Sequence, residues 1–218
     1  MKRLSTLIGS LLLLILAALT IYDGYYFLVA AFKQLNSYLW LGVGFLSCIV
    51  VNKLLFDQLR LIKVHIHESA HVIVSWMFFR RVTSIEVRET DGMMYHIPGR
   101  IGSSFISLAP YCLPYLTYFF LIIRCFVMGS SVWIFDMIIG FTLALHVVCF
   151  KEQTNSNQPD LRQEPLYFSY LFIWTFRLFN LLLILLCFFK KSGNSLNLDG
   201  AIAYIFSNFY STILNLFS

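Results

Sequence analysis

The chain has 218 residues, 59% of them apolar and only 12% charged, with a formal net charge of +5. Soluble domains carry roughly 45–50% apolar and about 25% charged residues, so a water-soluble monomer of this composition would expose more apolar surface than such proteins tolerate. The basic residues are scattered over loops without aromatic interleaving, a pattern that suits lipid head groups at the ends of membrane segments and argues against a nucleic-acid partner.

A helix needs about 20 mostly apolar residues to cross the hydrocarbon layer. Residues 4–22, extendable to 32, give the first predicted span. Met1-Lys2-Arg3 before a Leu-rich run also fits a secretory signal, but Ala17-Ala18-Leu19-Thr20 is a poor cleavage site, so an uncleaved span is expected. A short polar break at 33–37 leads to a second span over 38–56. Asn52, Lys53, Asp57, Gln58 and Arg60 then mark a membrane boundary. Residues 61–79 form a third helix, apolar except for Lys63 and a polar motif, and closed by Arg80-Arg81, whose side chains are placed to snorkel.

Ile85 and Val87 then alternate with Glu86 and Arg88, the period of a strand. Asp91-Gly92 is a hairpin turn signal, residues 93–97 can return as the partner strand, and Pro98-Gly99 ends the pattern. The apolar run 105–128 contains Pro110 and Pro114, which should kink or break its helix. Residues 132–150 and 166–189 are further spans, separated by the longest polar connection, 151–165. After Lys190-Lys191, residues 201–217 are apolar but studded with Asn208, Ser211 and Asn215, suiting an interfacial helix or a short additional span. The prediction is an all-α polytopic membrane protein with about six transmembrane helices and one small β-hairpin. Its five cysteines (Cys48, Cys112, Cys125, Cys149, Cys187) stand singly in apolar segments and read as small buried hydrophobes.

The motif in the third helix is His67-Glu68-Ser69-Ala70-His71, an H-E-x-x-H sequence. Residues four apart share a helix face, so His67 and His71 can point imidazole nitrogens at one cation. Glu68 faces the same cleft from the side, close enough to take a proton from a water held there. Two histidines and a glutamate in an apolar helix are costly unless they meet a polar cavity or a metal. The competing structural reading pairs Glu68 with Lys63 or Arg81. A catalytic zinc needs a third protein ligand and an open position. Asp160, directly after Pro159, can fill that place or cap the following span, and His146, deep in an apolar segment, competes with it. His65 points to another side of the helix, His96 and Asp91 lie in the hairpin, and Asp136 sits inside a span, where it is expected to bond within the bundle.

An apolar H-E-x-x-H helix, a basic boundary, a β-hairpin, a Gly/Pro-containing span and a later Asp beside Asn and Pro resemble the site-2 protease family. These are intramembrane zinc metalloproteases that cut other membrane proteins within or near their transmembrane segments. The resemblance runs from about His67 to Leu161. It implies His67, His71 and Asp160 as ligands of one Zn2+ per chain and Glu68 as catalytic base. Asn155-Ser156-Asn157-Gln158-Pro159-Asp160-Leu161 compresses the family's second motif, with Leu161 where the family has Gly. By the same resemblance Asn157 or Asn155 holds a substrate backbone or orients a ligand, and the hairpin presents substrate in extended form.

On this reading the chain is one membrane-embedded domain, with N-terminal spans in 1–60, a metalloprotease core in 61–165, and a C-terminal span and amphipathic tail in 166–218. The expected function is zinc-dependent cleavage of membrane-protein or peptide substrates in the lipid bilayer, in the cytoplasmic membrane if the source is bacterial. Basic residues divide evenly between the two faces, so charge sets no orientation. Two other functions compete: a non-catalytic membrane scaffold with a degenerate metal site, and a metal or proton transporter component. A transport path would scatter ionisable residues over several spans, whereas here most of them cluster at one helix and one loop.

Overall fold

In the computed structural model the described residues are 2–56, 58–87, 92–96, 102–127, 131–191, 194–195 and 198–217. Helix α1 (Lys2–Ala31) runs through a 3₁₀ stretch, Phe32–Tyr38, into α2 (Leu39–Leu54). The polar break expected at 33–37 falls in that stretch, where Gln34 leaves helical geometry at φ −129°, ψ 33°. The two arms then take different partners, α1 packing on α7 (Leu166–Leu186) and α2 on α6 (Val132–Gln153).

The α2–α6 contact is close because glycines face backbone across it. A Cβ on Gly44 would stand 1.9 Å from the Met137 carbonyl oxygen, and one on Gly140 would stand 2.0 Å from that of Leu41. Without a strong hydrophobic drive between helices in lipid, such small-residue seams let backbones approach and gain packing contacts.

The motif lies on α3 (Arg60–Met77). Its end is a Schellman closure: Arg80 N–H donates to the Ser75 carbonyl at 2.8 Å and Phe79 N–H to that of Trp76 at 2.9 Å. Phe79 takes the left-handed position, φ 55°, that glycine usually holds. The chain reverses there into β1 (Val82–Val87), which pairs antiparallel with β2 (Gly92–His96) through an irregularity between Val82 and Ser84. The expected hairpin is therefore present, lying against α3. Most of its turn, residues 88–91, and Pro98-Gly99 lie outside the described residues.

Two short helices follow, α4 (Ser103–Cys112) and α5 (Tyr115–Arg124), bent by 74° at Leu113-Pro114. Gly102 begins α4 at φ +75°, and a Cβ there would meet the Phe78 ring at 2.5 Å, so this turn requires glycine. Pro114 breaks the helix as expected, whereas Pro110 is accommodated inside α4. After α6, a 3₁₀ turn, Asp160–Arg162, leads to α7; a short ladder of β3 (Lys190–Lys191) and β4 (Asn194–Ser195) precedes α8 (Leu198–Phe217). Helix α8 packs on α1 and α7, where Thr212 meets Asp23 at 3.5 Å.

The largest apolar core joins Phe27, Leu41, Ile139, Ile184, Ile205 and their neighbours from α1, α2, α5, α6, α7 and α8. A second core joins Leu13, Leu108, Tyr111, Leu161 and Phe172 beneath the motif. Leucines such as Leu7, Leu12 and Leu46 remain exposed, which suits contact with lipid chains. All five cysteines are free, and only Cys125 is exposed.

The chain is mostly helical, with several apolar helices suited to a membrane. Six spans are not found among the described residues: three helical runs are long and apolar enough to cross (Leu4–Leu54, Val132–Gln153 and Leu166–Leu186), or four if bent α4–α5 counts as one. Arg60, Lys63 and Glu68 keep α3 out of this set, and the Asn and Ser residues of α8 lower its hydropathy. At 1.5 Å per residue the first run is roughly 75 Å long, more than twice one hydrocarbon thickness.

Candidate metal centre

Three residues of α3, each one turn from the next, meet three partners on the following polar segment. Lys63 Nζ lies 2.8 Å from Glu152 Oε2, His67 Nδ1 lies 3.2 Å from Gln153 Oε1, and His71 Nε2 lies 3.3 Å from Asp160 Oδ2. The i, i+4 spacing puts the three on one face, and the end of α6 with its loop runs along that face. Lys63, only 3% exposed, is thus held by Glu152 and stacks over Phe56 at 4.5 Å; the rival pairing of Lys63 with Glu68 is not what forms.

Both imidazoles are oriented through Nδ1. The Ile106 carbonyl oxygen lies 2.6 Å from His71 Nδ1. A carbonyl only accepts, so Nδ1 carries the proton and, in the neutral ring, Nε2 keeps its lone pair. The Gln153 carboxamide oxygen lies 3.2 Å from His67 Nδ1, placed to accept from the same tautomer of that ring. The two Nε2 atoms converge on one oxygen of Asp160, at 3.6 Å from His67 and 3.3 Å from His71.

The ligand-capable atoms of His67, His71 and Asp160 all lie within 4.8 Å of one another. Two donors each 2.0–2.1 Å from a tetrahedral zinc would stand about 3.4 Å apart, close to the separations seen. Two neutral imidazoles and one carboxylate are also a donor set that zinc favours, so these residues fit the ion. Burial alone would raise the Asp160 carboxyl. Without an ion, Nε2–H groups of His67 and His71 aimed at Asp160 outweigh that burial and hold the carboxyl below the usual carboxylate range; release of those protons leaves the neutral Nε2 lone pairs that ligation requires. Asp160 does not cap α7: Pro165 holds that position.

Glu68 is 5% exposed, and its burial beside His71, His67 and Asp160 raises its carboxyl above the usual value. Residues 39–155 match the family model described as Peptidase M50B-like, more than half of the chain. The chain belongs to this family. The matched stretch of this M50B-like protein contains His67, Glu68, His71 and Gln153 and ends before Asp160, whose proximity to them rests on the geometry. No curated protein and no solved structure matches the chain.

The remaining sequence candidates lie apart from this cluster. His65 is exposed on another side of α3. His146 lines a cleft with His67, Pro110, Pro114 and Tyr115, its Nε2 buried and unpaired among the described residues, but it is outside the ligand group. Asn157 is exposed, and its carboxamide oxygen accepts from Arg162 Nη2 at 2.6 Å. Asp136 pairs with Arg124 within the bundle. His96 lies in β2, and Asp91 is outside the described residues.

Two features escaped the sequence reading. Gln153 belongs to no recognisable motif, yet its carboxamide oxygen lies 3.2 Å from His67 Nδ1. Tyr111, 1% exposed, packs its ring edge-on to His67 at 5.2 Å between centroids. Its buried hydroxyl lies beside the Asp160 carboxylate. A tyrosine in an apolar run carries no signal by itself.

Proposed function

We propose that this M50B-like protein is a zinc-dependent intramembrane endopeptidase that hydrolyses peptide bonds of membrane-protein substrates. The observation that carries the reading is the convergence of His67 Nε2, His71 Nε2 and Asp160 Oδ2 beside the buried Glu68. His67, His71 and Asp160 would hold one zinc ion, with Glu68 as the base. When bound, zinc polarises a carbonyl and lowers the pKa of water toward neutrality.

The chain supplies the rest. Glu68 takes a proton from the attacking water as its oxygen adds to the scissile carbonyl carbon, and returns that proton to the amine nitrogen as the C–N bond breaks. Gln153 and the Ile106 carbonyl keep both imidazoles facing the centre. The 74° bend at Leu113-Pro114 places a small cleft beside His67, lined by α3, α4, α5 and α6. The β1–β2 hairpin next to α3 offers strand addition to a substrate that must leave its helix before hydrolysis. Asn157, on the loop that carries Asp160, is proposed to contact the same extended segment.

The test joins metal content with cleavage. Full-length protein in detergent or proteoliposomes should carry one zinc per chain and cut members of a set of apolar transmembrane peptides, read by mass spectrometry. Zinc without cleavage would favour the scaffold reading, and no stoichiometric zinc would end the metalloprotease reading.

A further inference from the structure

An α-helical carbonyl normally accepts the N–H of the residue four positions later. For Ile106 that residue is Pro110, which has no N–H. Pro110 nevertheless lies inside α4, buried with its neighbours, so the Ile106 carbonyl is left within a buried helix without its usual donor. In an apolar setting such a group must find another partner. The one it finds is Nδ1 of His71, at 2.6 Å.

The same logic governs the rest of this helix. The break at Pro114 ends the ladder, and the Tyr111 and Cys112 carbonyls are filled by side chains of α7, from Arg177 Nη1 at 3.2 Å and Asn180 Nδ2 at 2.9 Å. Of the three carbonyls, Ile106 alone takes a residue of the metal-binding group as its donor.

We infer that Pro110 is a positioning residue of the metal centre: by withholding an N–H from the Ile106 carbonyl, it reserves that acceptor for His71 and so fixes which imidazole nitrogen faces the ion. This rests on the zinc assignment above but not on proteolysis. A non-proline residue at 110 would supply an intrahelical donor to the same oxygen. His71 Nδ1–H would then compete for it, and the ring would lose its single fixed orientation. The shape of the pyrrolidine ring is a separate effect, and the experiment must divide the two.

Two full-length variants do so. Pro110→Ala adds the N–H and removes the ring. Lactic acid placed at 110 by nonsense suppression has the same methyl side chain but an ester oxygen in place of N–H, and it also lacks the ring. Zinc affinity is measured by equilibrium competition with a chelator, which needs no substrate. The alanine variant should bind zinc about 10–100-fold more weakly than the parent, the range found when an outer partner of a ligating histidine is lost. The lactate variant should stay within a few-fold of the parent. An alanine variant as tight as the parent, or two variants equally weak, overturns the inference, because the proline would then matter only for shape or not at all. A parent that binds zinc but cleaves nothing leaves the inference standing while proteolysis falls. A parent without zinc removes both.

Discussion

The carboxamide oxygen of Gln153 stands 3.2 Å from Nδ1 of His67, joining the last residue of α6 to the first histidine of the motif. One residue earlier, Glu152 takes the ammonium of Lys63, a turn before that histidine on α3. The end of α6 thus serves α3 twice, once for a buried charge and once for a ring of the candidate metal centre.

Gln153→Ala should therefore weaken zinc binding by about 10–100-fold, because His67 loses the acceptor that fixes its tautomer. Gln153→Glu keeps an acceptor at the same reach and should restore most of the affinity. Chelator competition on the two purified variants reads the difference. Equal affinities for Ala and the parent would detach Gln153 from the centre.

Glu68→Gln separates chemistry from metal holding. The amide keeps the size of the side chain but cannot take a proton from water, so peptide cleavage should fall by about 10²–10⁴-fold. Zinc content should remain at one per chain, since Glu68 is not among the converging donors. Cleavage kinetics and metal analysis on the same preparation check both halves.

The sequence spoke most clearly where chemistry depends on spacing along one helix. His67, Glu68 and His71 carry their geometry in their numbering, and the hairpin and the break at Pro114 follow from local residue types. Asp160 was harder to read, because its closeness to the histidines depends on how α6 and its loop return along α3, a tertiary fact. The Ile106 carbonyl was invisible as a backbone atom, although Pro110 four residues later was the sign that it would need a donor. Six spans are not confirmed among the described residues, because a helix that carries Arg60, Lys63 and Glu68 and a helix broken at Leu113-Pro114 do not read as single apolar crossings, and the first two apolar segments run together over Leu4–Leu54.

Asp160→Ala tests the third donor against the capping role. Removal of a ligand should reduce zinc affinity by more than the 10–100-fold typical of an outer partner, while helix content by circular dichroism stays unchanged, because Pro165 and not Asp160 begins α7. His146→Ala, in the neighbouring cleft but outside the ligand group, should keep its zinc. A reversed ranking, with His146→Ala losing metal and Asp160→Ala keeping it, would reassign the third ligand.

The α2–α6 seam gives a prediction about how distant packing reaches the centre. Alanine at Gly140 puts a methyl 2.0 Å from the Leu41 carbonyl oxygen, and alanine at Gly44 puts one 1.9 Å from that of Met137. The obstacles are backbone atoms, which cannot swing aside, so the helices must separate. Overpacking of this kind costs about 1–3 kcal/mol. Gly42, on the same helix, has open space where a Cβ would go. Alanine there should only add the helix preference of about 0.5–1 kcal/mol that alanine holds over glycine. Thermal unfolding in detergent should therefore move down for Gly44→Ala and Gly140→Ala, and stay level or rise for Gly42→Ala. Since α6 ends in Glu152 and Gln153, the two destabilising variants should also bind zinc more weakly than Gly42→Ala does. A lowered unfolding temperature with unchanged zinc affinity would mean that the far end of α6 is held by its Lys63 and His67 contacts alone, independent of the seam.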